Sequence, residues 1–136
     1  IYQGKTLKKF YKTINQKKKK CIKIINLNKQ KGDIAAYGAA RSGPILSINF
    51  GLDKAIKYIF DDHKLKVNRF SSFNALRVYP TKKIKHLKPS LCVILAYLHA
   101  KKIIKKNLSY IKEGGKFLVL FPKVKIISKN NFKNFI

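Results

Sequence analysis

Five acidic residues, two cysteines and no tryptophan in a chain of 136 leave several kinds of chemistry without their usual parts. Paired carboxylates for acid–base catalysis are hard to assemble from so few. Cys21 and Cys92 lie far apart with no Cys-x-x-Cys pair, which argues against a structural zinc site and a disulfide framework. A reducing compartment, the cytoplasm, is the expectation. No apolar run approaches the roughly 18 residues of a membrane-spanning helix, and no membrane partner is expected. Nucleophile elbow, kinase signature and Walker A loop are all missing, so no catalytic residue and no metal ligand is assigned. The chain opens on Ile1 with no signal-peptide pattern behind it. The expectation is a piece of a longer protein, with a functional site that needs sequence beyond these residues.

Lysine is what the chain has in excess. The 32 Lys and Arg give a formal charge of +27, and only three of them are Arg. So basic a chain would neutralise many phosphates, yet Arg is the residue suited to forked phosphate and base contacts. Lys, Ile and Asn together make 57 of the 136 residues, and all three are encoded by A/T-rich codons. Coding bias is therefore expected to account for most of the charge. A lysine-rich nucleic-acid-binding protein, ribosomal or organellar, stands as the alternative.

The hydrophobic content of 46% suffices for one core. Leu7, Phe10, Tyr11, Ile14 and Cys21 recur at helical spacing, predicting a basic amphipathic helix over 6–25 with Lys17–Lys20 on its solvated face. Polar residues 26–32 mark a connector. Short apolar runs at 33–37, 55–60, 75–79, 90–96, 116–121 and 124–127 read as strands, with 90–96 central. Helices are expected at 41–50 and 100–112, the second stopped by Gly114-Gly115. Alternation of wholly apolar strands with helices predicts an α/β, Rossmann-like three-layer domain with a mostly parallel sheet. The divisions are 1–31 for helix and connector, 32–127 for the domain and 128–136 for a frayed tail.

Three clusters could carry chemistry. Gly38-Ala-Ala-Arg-Ser-Gly43 joins a strand to a helix, where open α/β sheets bind ligands. Its glycines permit close approach, and amides opening the next helix could hold a phosphate; an ordinary tight turn fits equally well. Asp61-Asp-His63 ends the next strand, 23 residues after Gly38, near the interval at which a carboxylate takes ribose hydroxyls. A turn cap or a lysine pair is the other possibility. Tyr97 and His99 follow the most apolar strand, where they could meet a ligand or close a helix start.

Four motifs in order, Ile34 to Gly43, Ile59-Phe-Asp-Asp-His63, Val93-Ile-Leu-Ala-Tyr97 and Gly114-Gly-Lys-Phe-Leu-Val-Leu-Phe-Pro122, resemble the C-terminal domain of sugar-nucleotide C-methyltransferases. Those S-adenosylmethionine-dependent enzymes add a methyl group to carbon of a nucleotide-activated deoxysugar. The resemblance covers about 31–127. It implies a substrate-binding domain for a nucleotide diphospho-sugar, partnered by an upstream methyltransferase domain that holds S-adenosylmethionine, with no cofactor on this segment. It further implies that Gly38, Ala39, Ala40, Arg41, Ser42 and Gly43 face the diphosphate or nucleotide, and that Asp62, Lys66 and Tyr97 occupy the positions of family site residues. Asn68 stands where Gly is commoner, Ser72 where Pro is usual, and Lys101-Lys102 replaces an acidic stretch.

Overall fold

The computed structural model describes residues 2–41, 43–72 and 74–136. Helix α1 (Tyr2–Lys29) leads into strand β1 (Ile34–Tyr37), helix α2 (Gly43–Asn49) and strand β2 (Ile56–Phe60). Strand β3 (Arg77–Tyr79), a 3₁₀ turn (Thr81–Lys83), helix α3 (Ile84–Leu87) and strand β4 (Leu91–Ile94) follow. A second 3₁₀ turn (Tyr97–His99) leads into α4 (Ala100–Lys106), α5 (Leu108–Lys112), β5 (Phe117–Val119), β6 (Lys125–Ile127) and α6 (Phe132–Phe135).

The six strands form one sheet in the order β3-β2-β1-β4-β5-β6. The first five are parallel, and β6 returns antiparallel to β5. The predicted mostly parallel α/β sheet is present, with the helix ahead of it. Every residue of β1 and β4 is buried, as a strand covered on both faces requires. Side chains alternate between two cores. Ala35 and Tyr37 join Phe60, Ile104, Ile111 and Phe117 under α3–α5, while Ile34 and Ala36 join Cys21, Ile25, Leu52 and Leu118 under α1 and α2.

Several boundaries differ from the sequence reading, each for a tertiary reason. Helix α1 continues through the polar stretch 26–29 because Asn28 Nδ2 donates to the Ile24 carbonyl and Ser90 Oγ donates to the Asn28 carbonyl. A side chain 62 positions away thus caps the helix end. The expected strand at 75–79 begins only at Arg77, since Asn74 and Ala75 have φ of +52° and +49°, incompatible with extended backbone. The helix expected at 100–112 breaks at Asn107, whose buried amide donates to the Ile103 carbonyl and to Tyr37 Oη. The expected frayed tail instead buries Phe132 against the first core, with Asn131 bonding Ser128 and Ile126.

Candidate functional site

Strand order reverses between β1 and β4, opening a crevice at their carboxyl ends. Gly38 sits in that crevice with φ of +94°, its Cα so close to Ala96 that a Cβ would stand 2.6 Å from the Ala96 Cβ. Only glycine fits there.

The loop after Gly38 is gripped from both sides. Gly38 N–H donates to the Phe60 carbonyl (2.8 Å) and Ala39 N–H to Asp61 Oδ2 (2.7 Å). Lys66 Nζ donates to the Ala39 carbonyl (2.6 Å). Gly43 N–H returns to the Ala40 carbonyl (3.0 Å). Amides of Gly38, Ala39 and Gly43 are therefore spent inside the protein, and the cradle imagined from the sequence has lost three of its donors. Ser42 lies outside the described residues, and Arg41 is exposed on the turn.

Both carboxylates after β2 are likewise engaged. Asp61 holds the Ala39 and His63 amides, tying the β1 loop to the β2 loop. Asp62 accepts from the Thr81 hydroxyl and amide and pairs with Lys106. Partial burial opposes its ionisation, but hydrogen bonds from Lys106 and Thr81 outweigh that and hold its carboxyl below the usual range. In this arrangement the two carboxylates act as a turn cap and as half of a lysine pair.

Two clefts meet at the loop. One, of about 290 Å³, lies between Gly38–Ala40 and the segment 65–72, over an apolar floor of Ile59, Val78 and Leu95. Lys66, Arg69 and Ser71 give it a polar rim. The other, of about 340 Å³, runs from the same loop to α4, past Asp61, Asp62, Lys66, His99, Lys102 and Lys106. Gly38, Ala40 and Lys66 line both. Tyr97 lines neither: its ring lies 4.9 Å from that of Phe121, in a neighbouring open groove with Leu98 and Pro122 that shares His99 and Lys102 with the second cleft.

The sequence reading missed Leu65, Arg69, Phe70, Lys102 and Lys106. A signal existed for Leu65 and Phe70, two large apolar residues in a charged loop, and both remain about two-thirds exposed. None existed for the lysines, hidden among 29 of their kind.

Burial pushes the Cys21 thiol up to about 11 and Cys92 well above its ordinary value, so neither is a ready nucleophile. No group of three or more His, Cys, Asp or Glu suited to a metal occurs among the described residues. Nor, among them, is any helix long and apolar enough to cross a membrane.

A family model described as the C-methyltransferase C-terminal domain matches residues 1–122. No curated protein sequence matches the chain. Sixteen chains of solved structures do. One is UDP-D-quinovosamine 4-dehydrogenase from Vibrio fischeri, 17% identical, with a TM-score of 0.49 over 74% of this chain and 97% of that one. With the family match running from the first residue through the end of the fifth parallel strand, this chain belongs to the C-methyltransferase C-terminal domain family.

Proposed function

We propose that the chain binds the nucleotide diphospho-sugar on which a C-methyltransferase acts, the sugar being a deoxysugar. In this reading S-adenosylmethionine is held by a separate methyltransferase domain that docks against this one. The chain's own residues seat and orient the substrate, and the donor supplies the methyl group. Cytoplasm is the compartment the reading implies, with both thiols free and buried.

The observation that carries it is the 290 Å³ cleft at the carboxyl ends of β1 and β2. An apolar floor with a rim of one lysine, one arginine and hydroxyls suits a nucleoside: a planar face to cover and a few polar edges to fix. Its neighbour cleft, sharing the same loop, gives the rest of the molecule somewhere to lie.

Titration of the chain with a nucleotide diphospho-sugar, by calorimetry and NMR, tests this. Binding should shift amide resonances at 38–41 and 65–72, with no methyl transfer when S-adenosylmethionine is added. Unmoved resonances in both segments would remove the reading.

One observation favours nucleic acid as a second reading. The first half of α1 exposes lysines at 5, 8, 9 and 12 beside the exposed rings of Phe10 and Tyr11. That reading requires RNA binding with a steep salt slope that flattens when Lys5, Lys8, Lys9 and Lys12 are replaced by Gln. Weak binding with no dependence on those lysines would eliminate it.

A further inference from the structure

Three of the amides that the sequence offers for a phosphate, those of Gly38, Ala39 and Gly43, are occupied, so an anion bound at this edge draws on other donors as well. The second cleft supplies them. His99, Lys102 and Lys106 fall at i, i+3 and i+7, from the residue before α4 to its last, a spacing that stacks them on one helix face. Lys66 lines the same cleft from the loop after β2.

The carboxylates of the same cleft offset these cations only in part. Asp61 directs one oxygen at the Ala39 amide and the other at the His63 amide. Asp62 is taken up by Thr81 and Lys106. Lysine carries three N–H donors; Lys66 spends one on the Ala39 carbonyl, and Lys102 has no ion-pair partner among the described residues. Three ammonium groups against two carboxylates leave the lining net positive even with His99 neutral.

We propose that this second cleft is a diphosphate seat, with Lys66, Lys102 and Lys106 as its cations and His99 as a further donor, in place of the glycine-loop amides. The inference rests on the nucleotide-sugar reading and adds to it the position of the charged middle of the substrate. Because Gly38, Ala40 and Lys66 line both clefts, a nucleoside in the first cleft would place its diphosphate in the second without crossing solvent. Lys66 touches both halves of such a ligand.

Two ligands and two variants test the seat, all on the full chain followed by NMR. Inorganic pyrophosphate should shift resonances at 66 and 99–106. Lys102→Glu should weaken it about tenfold, the loss of one charge-assisted contact plus added repulsion, while Lys102→Arg keeps it. Lys102 is exposed on α4, and an unchanged melting temperature will show that the variants are folded. Shifts spread evenly over Lys17–Lys20 and other surface lysines, or equal affinity in Lys102→Glu, would overturn the seat. A nucleotide diphospho-sugar that moves 65–72 but ignores Lys102→Glu overturns the seat and leaves the substrate reading standing. Pyrophosphate held at 99–106 with no response to any nucleotide sugar supports the seat and removes the substrate reading.

Discussion

A methyl group at position 38 would meet the Ala96 Cβ at 2.6 Å, on a backbone whose φ of +94° already disfavours a side chain. Strain and overlap combine here, so Gly38→Ala should cost about 2 kcal/mol or more. Thermal melting will show a drop of several degrees, and an unchanged melting point would mean that β1 and β4 part easily. Asp62 gives a prediction with a pH sign. Its carboxyl is held below its usual value, so its contribution is present above the unfolded value near 3.8 and is lost as pH falls through the lower folded one. Asp62 is about half exposed, and its pair with Lys106 is screened. Asp62→Asn should therefore cost less than about 1 kcal/mol at neutral pH. Urea titrations at a series of pH values should show the gap closing below pH ~4; a gap constant to pH 2 would assign the effect to shape rather than charge. The residue types at 38, 61 and 62 were legible as a candidate site, but their hydrogen bonds were not. Nothing in the order Asp-Asp says which one grips the Ala39 amide and which pairs with a lysine 44 positions on.

Helix α1 is two elements joined end to end. Its second half buries Cys21, Ile25 and Asn28 against the sheet, while its first half leaves Leu7, Phe10 and Tyr11 more than half exposed. The same apolar stripe runs through both, so periodicity alone predicts equal burial and cannot show where the sheet ends. Ile25→Ala should cost about 2–4 kcal/mol, the usual toll for a cavity in a packed core, and Phe10→Ala about 0.5 kcal/mol or less. Denaturant titration of the two variants compares them directly, and equal losses would mean that the first half is packed as well. Strands β1, β4 and β5 were readable because each lies buried on both faces and carries no polar interruption. The break at Asn107 was not, because it depends on a buried amide finding Tyr37 Oη across 70 residues of chain.

A net charge of +27 on a single sheet-centred fold is a standing self-repulsion. Most of it is spread over exposed lysines, where salt screens it within about 10 Å at 0.1 M. The melting temperature should therefore rise between about 10 and 200 mM sodium chloride. A flat or falling curve would show that the charges are already spaced widely enough to ignore one another. Composition made that charge plain and made coding bias its simplest source; only the fold shows that a few of the lysines converge on a ligand-sized cleft.

What the sequence determined alone was the order of the strands and of the helices α1, α2 and α4–α5, the α/β class, the place of the glycine loop and the family likeness. Those follow from local periodicity and from breakers at fixed positions, which act over a few residues. Tertiary structure decided which donors of that loop stay free, which lysines gather at α4, and why Tyr97 stands apart against Phe121. Each of these depends on side chains meeting across tens of residues, and chain order does not encode such meetings until the sheet is assembled.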